Sequence, residues 1–98
     1  MAEKLLPQAR RAALADLSGW ADVQNRDAIA KCFRFQDFAQ AFAWMTSCAE
    51  IAETMNHHPE WSNIYNRVDV VLTTHDAGGV THLDIDLARH MNKAAELP

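Results

Sequence analysis

From Phe38 to Met55 apolar side chains recur at spacings of three and four: Phe38, Ala41, Phe42, Met45, Cys48, Ala49, Ala52 and Met55. That rhythm is the stripe of an amphipathic helix, which must bury its apolar side against another layer. Asp37 followed by Gln40 resembles a capping box with Asp in place of Ser or Thr. The helix is expected to stop near Asn56, because His58 precedes Pro59 and the residue before a proline is pushed out of the helical region. His57 and His58 therefore fall where a long helix ends and the chain turns.

The segments on either side supply the layer this helix needs. Gln8 to Leu17, after Pro7, reads as a first helix with a weak stripe of Ala9, Ala12, Ala13 and Leu17, ended by Ser18-Gly19. Trp20 to Val23 is short and β-like, and Asn25-Arg26-Asp27 is a turn. Ala28 to Phe35 alternates, with Ile29, Phe33 and Phe35 on one face and Arg34 on the other; Lys31 breaks the pattern and suggests an edge or a solvated end. Beyond the long helix, Asn66 to Thr74 sets Val68, Val70 and Leu72 against Asp69, Val71 and Thr73. His75 to Gly79 is a glycine-containing turn, and Val80 is expected to open a short fourth strand. Thr81 with Asp84 starts a last helix bearing Ile85, Ala88 and Met91. The order α-β-β-α-β-β-α predicts an α+β two-layer sandwich: a four-stranded antiparallel sheet with three helices on one face.

Ninety-eight residues suffice for one domain, spanning 1–98, and a chain this short gains from self-association. Thirteen acidic against nine basic residues, with no basic stripe, argue against direct nucleic-acid binding. No apolar run is long enough to cross a bilayer, and Met1 to Arg11 is polar and mixed, unlike a signal peptide; no membrane partner is expected. Cys32 and Cys48 form no CxxC, and a pair of buried thiols fits a reducing, cytoplasmic setting.

Of five histidines, His57, His58 and His75 lie at element ends, where a rigid scaffold can present them. Imidazole gives and takes protons near neutrality, so several around one pocket suit a reaction that needs a proton delivered at one atom and removed at another. Singly, each has a plainer explanation: a helix-terminal histidine interacts with the last carbonyls, and His75 is a turn residue. His82 and His90 read as surface residues. A metal site is the competing reading, yet adjacent histidines point apart, HExxH is absent and no cysteine is near. Glu53, four residues before His57, would share its helix face; a Glu–His ligand pair or a carboxylate that fixes the imidazole tautomer are both open. Trp61 and Tyr65 could stack on a flat heterocycle or serve as core or interface aromatics. The glycine pair Gly78-Gly79 lacks any phosphate-loop pattern.

Glu53-Thr54-Met55-Asn56-His57-His58-Pro59-Glu60-Trp61, then Tyr65-Asn66-Arg67-Val68, Thr74-His75-Asp76 and Asp84, resemble the signature of the pterin-4a-carbinolamine dehydratases. A weaker likeness reaches back through Asn25-Arg26-Asp27-Ala28-Ile29 to Gly19-Trp20. The resemblance implies an antiparallel four-stranded sheet with helices on one side. It further implies dehydration of 4a-hydroxytetrahydropterin to quinonoid dihydropterin, without metal or cofactor, recycling the pterin of aromatic amino acid hydroxylases such as phenylalanine hydroxylase. By the same resemblance His57, His58 and His75 are catalytic: His57 and His75 in proton transfer, His58 against the 4a-hydroxyl. Pro59, Thr74, Asp76 and Ala77 would frame the ring, with Glu53 and Asp84 behind the histidines. Some relatives carry an arginine just before the aspartate matching Asp84; Leu83 stands there, so that contact is not carried over, and His82 is also outside the pattern. The family further implies a homodimer or homotetramer. Its fold also resembles dimerisation cofactors of a transcription factor, an interaction role that would not need the histidines. An unrelated carbinolamine as substrate is a third reading.

Overall fold

The computed structural model describes residues 2–96. Its elements run α1 (Pro7–Ala15), β1 (Ala21–Asp22), β2 (Ile29–Arg34), α2 (Phe38–Met55), β3 (Glu60–Ile64), β4 (Arg67–Leu72), a 3-10 turn (His75–Ala77) and α3 (His82–Ala95). The strands form one antiparallel sheet in the order β1-β2-β4-β3. The expected α-β-β-α-β-β-α order and α+β class are present.

Two strand positions differ from expectation. The third strand lies immediately after the helix turn, at Glu60–Ile64, and pairs with β4 through Trp61↔Val70 and Asn63↔Val68. Val80 opens no strand: the chain there makes only an isolated bridge, Thr74↔Gly79. Polar Ser62 and Asn63 weaken the strand signal, and pairing with Val68–Val71 decides the matter. Lys31 stands just beyond the β1 pairing, which ends at Ala30, and pairs only with Val70 of β4; its Nζ donates to Ser18 O and Asn92 Oδ1, both at 2.8 Å.

The core lies between the sheet and the helices. Alternation sends Ile29 and Phe33 of β2 and Val68, Val70 and Leu72 of β4 to one face, where they meet Ala41, Trp44 and Cys48 of α2 and Ile85, Leu87, Ala88 and Met91 of α3. The α1 helix adds Ala13 and Leu14, half-buried; its expected contributors Ala9 and Ala12 are exposed. The stripe on α2 is also rotated from the expected one. Trp44 takes the centre, packing on Phe33 at 4.4 Å between centroids and donating from Nε1 to Met91 O at 3.0 Å. Phe38, Phe42 and Ala49 face outward. Cys48 is buried as expected, whereas Cys32 is exposed, so the thiols are not a buried pair. No described helix is long and apolar enough to cross a membrane.

Both ends of α2 follow the sequence. Asp37 accepts from Gln40 N–H at 2.9 Å, while the Gln40 side chain reaches Gln36 rather than completing the box. At the other end Asn56 adopts a left-handed conformation (φ 51°), and His57 N–H reaches back to Ala52 O at 3.0 Å. This closing turn satisfies orphan carbonyls and takes His57 off the helix surface.

Candidate active site

The turn after α2, the start of β3 and the segment from Thr73 to Asp76 enclose an open cleft of about 340 Å3. It is lined by Asn56, His57, His58, Pro59, Glu60, Thr73, Thr74, His75, Asp76 and Leu83. The three histidines singled out in the sequence thus share one wall, together with Pro59, Thr74 and Asp76. Ala77 is not among the lining residues, and neither are Trp61 and Tyr65. Trp61 packs toward Trp44 at 6.3 Å, and Tyr65 is exposed at the β3–β4 turn with φ 50°.

Each imidazole meets its own carboxylate. His57, buried at 7% exposure, places Nε2 2.6 Å from Asp84 Oδ1. Asp84 is wholly buried at the first turn of α3, and its other oxygen accepts from Thr81 N–H at 2.9 Å and Thr74 Oγ1 at 2.8 Å. Thr81 completes the capping box by accepting from Leu83 N–H at 3.2 Å, and its hydroxyl lies 2.7 Å from that of Thr74. The chain of hydroxyls resolves in one direction: Thr81 donates to Thr74, which donates to Asp84. The carboxylate is acceptor-only in this pattern, so His57 Nε2 donates and the neutral ring keeps its lone pair on Nδ1.

The expected partnership of Glu53 with His57 is not formed. Because Asn56 turns the chain, His57 does not continue the helix face. Glu53 Oε1 instead meets His58 Nε2 at 2.7 Å, in a pair that is exposed on both sides. Asp84 is the residue behind His57. Adjacent histidines do point apart, as the sequence suggests.

His75 is exposed at the start of its 3-10 turn, and its Nε2 lies 3.1 Å from Glu60 Oε2. Glu60 is gripped at both oxygens by Arg26 of the β1–β2 turn, Nη1 to Oε1 and Nη2 to Oε2, each at 2.9 Å. The Arg26 hydrogen bond first, and that of His75 second, hold the Glu60 carboxyl down to about 2. The next residue of the same turn braces the far side. Asp27 Oδ1 accepts from Val80 N–H at 3.1 Å, and Asp27 O accepts from Thr73 Oγ1 at 2.8 Å. Burial pushes the Asp27 carboxyl up, but Val80, Arg10 and Lys4 outweigh it and hold it down to about 2. A Cβ at Gly79 would sit 2.5 Å from the Asp27 carboxylate, so a side chain there would have to displace this brace.

Sequence reasoning missed Arg26 and the structural role of Glu60. Both lie within quoted segments, but an arginine in a turn carries no local mark of a partner in a distant strand. Of the remaining candidates, His82 and His90 are exposed and do not line the cleft. Cys48 offers no nucleophile, because burial pushes its thiol up to about 12.

Fold and cleft together define an α+β protein with an imidazole-walled site. The chain matches the family described as Pterin 4 alpha carbinolamine dehydratase over residues 3–94. A relative from Bradyrhizobium diazoefficiens (strain USDA 110) is 58% identical over 97 residues, covering 99% of this chain and 97% of its own. One from Jannaschia sp. (strain CCS1) is 56% identical over 98 residues, covering 98% and 100%. Both bear the name pterin-4-alpha-carbinolamine dehydratase as a provisional assignment. A crystal structure from Brucella melitensis, described as a transcriptional coactivator/pterin dehydratase, superimposes with a TM-score of 0.93 at 49% identity, over 95% of this chain and 99% of that one. This chain belongs to the pterin-4-alpha-carbinolamine dehydratase family.

Proposed function

We propose that the protein dehydrates a 4a-hydroxytetrahydropterin, of the tetrahydrobiopterin type, to the quinonoid dihydropterin by histidine acid–base catalysis. The bond from C4a to the hydroxyl oxygen breaks as a proton reaches that oxygen. The electron pair of the adjacent ring nitrogen forms the new carbon–nitrogen double bond, and that nitrogen gives its proton to a base. One proton enters, one leaves and water departs, so the step needs neither an electron carrier nor a cofactor. Two proton-transfer groups at different atoms are what it does need.

The observation that carries this reading is the cleft wall shared by His57, His58 and His75, with the buried Asp84 behind His57. Asp84 fixes the His57 ring and leaves Nδ1 to meet substrate. His57 and His75 transfer the protons, and His58 contacts the 4a-hydroxyl. Pro59, Thr74 and Asp76 frame the ring; Ala77 would contribute only through the course of the backbone beside His75. In this role the protein would restore the pterin used by an aromatic amino acid hydroxylase such as phenylalanine hydroxylase.

Stopped-flow decay of freshly generated 4a-hydroxytetrahydropterin, with chelator present, tests the proposal. Wild type should accelerate the decay, and His58→Ala should slow it while the protein stays folded. No acceleration by folded wild type would overturn the dehydratase reading; full activity of His58→Ala would overturn that residue's assignment.

A second reading, self-association or an interaction role as a dimerisation cofactor, is favoured by one observation. Phe38 and Phe42 stand 46% and 53% exposed on α2, their rings 5.6 Å apart. Sedimentation of wild type and a Phe38→Ser, Phe42→Ser variant tests it. A homodimer or homotetramer that dissociates in the variant supports it, and a monomeric wild type removes the self-association.

A further inference from the structure

Little packing restrains His75. Its side chain is 75% exposed, and it stands between two depressions. On one side lies the imidazole-walled cleft. On the other is a groove of about 250 Å3 lined by Arg26, Asp27, Thr73, His75 and Gly78. A ring in that position has room on both sides, and burial does not choose between them. Its one hydrogen bond among the described residues, to Glu60 at 3.1 Å, must set its orientation.

Glu60 is a fixed acceptor only because of Arg26. A lone exposed glutamate keeps its side-chain rotamers. Here two parallel N–H···O bonds at 2.9 Å clamp the carboxylate, in the fork geometry that a guanidinium alone provides. Arg26 in turn is held on a braced turn, because its neighbour Asp27 is tied to Val80, Thr73 and Arg10. The carboxylate accepts only, so His75 Nε2 must donate to it, and the neutral ring keeps its lone pair on Nδ1. His57 reaches the same tautomer by burial against Asp84; His75 reaches it through an exposed relay.

We propose that Arg26 is a positioning residue for His75: by clamping Glu60 it holds the ring at the cleft wall with Nε2–H tied and Nδ1 open to substrate. The proposal rests on the dehydratase reading for its effect on rate, but its structural half does not. An exposed ion pair adds little to stability, because water replaces a lost partner, so removing Arg26 leaves the fold intact and isolates the positioning role.

The test pairs kinetics with nitrogen-15 NMR of the histidine rings in alkaline buffer, on wild type, Arg26→Ala and Arg26→Lys. Arg26→Ala should lower kcat about tenfold with KM changed less than about twofold, since a proton-transfer group is misaligned while the ring frame persists. His75 should pass from a single Nε2–H tautomer to a mixture, while His57 stays unchanged as an internal control. Arg26→Lys, with one ammonium instead of a fork, should recover only part of both. Wild-type kcat in Arg26→Ala would overturn the proposal, as would a loss of kcat with the His75 tautomer unaltered. If wild type fails to dehydrate the carbinolamine while Arg26→Ala still frees the His75 tautomer, the functional reading falls and the positioning stands.

Discussion

His57 and His75 each present Nε2 to a carboxylate oxygen, at 2.6 and 3.1 Å, but in opposite surroundings. The His57–Asp84 pair is interior, and Asp84 also caps α3 and collects Thr74 and Thr81. The His75–Glu60 pair is exposed and depends on a third residue, Arg26, for its geometry. Removing one partner of a buried pair strands polar groups with no water to replace it, whereas water readily substitutes in an exposed one. The buried half of the site is therefore inseparable from the stability of the fold, and the exposed half can be altered with little effect on it.

The sharpest way to break this contrast is to remove a buried and an exposed histidine-bound carboxylate in turn, Asp84 and then Glu53. Asp84→Ala should destabilise the protein by about 3–5 kcal/mol in urea unfolding, because His57, Thr74 and the Thr81 N–H all lose their acceptor. A loss under about 1 kcal/mol would mean the network is not structural. Thr74→Val, similar in shape but without the hydroxyl, should cost about 1–3 kcal/mol by the same measurement. Glu53→Ala, which removes the exposed partner of His58, should shift stability by less than about 1 kcal/mol.

The pH response sharpens the comparison further. Asp27 and Glu60 are both held down to about 2, so the folded form favours their ionised state. A carboxyl depressed on folding contributes stability above its unfolded value and loses it as pH falls toward the folded one. Between the ordinary values of 3.8 for Asp27 and 4.5 for Glu60 and about 2, stability should therefore decline. Urea midpoints across this window should fall less steeply for Asp27→Asn than for wild type, and an unchanged slope would remove Asp27 as a contributor.

The same contrast separates what the sequence reveals from what it hides. The long helix, its Asp37 cap and its stop at Asn56 were legible because local chemistry decides them. The histidine cluster was legible because its members lie at element ends and within a recognisable signature. Asp84 was legible as a site residue only through that signature, and its assignment to His57 was not, because it is 27 residues away and only the left-handed turn at Asn56 brings the two close. A helical extrapolation gives Glu53 to His57; the turn gives it to His58. The strand Glu60–Ile64 was missed for a related reason. Its polar residues carry little propensity, and its register is imposed by β4. Arg26 reads as a turn residue until the hairpin is folded beside β3.

Single-turnover decay of 4a-hydroxytetrahydropterin with the His57→Ala, His75→Ala double variant, compared with wild type, tests the central claim most directly. Two positioned acid–base groups each contribute on the order of 100-fold or more, so the double variant, folded by circular dichroism, should fall to the uncatalysed rate. Decay at the wild-type rate in that variant would contradict the account.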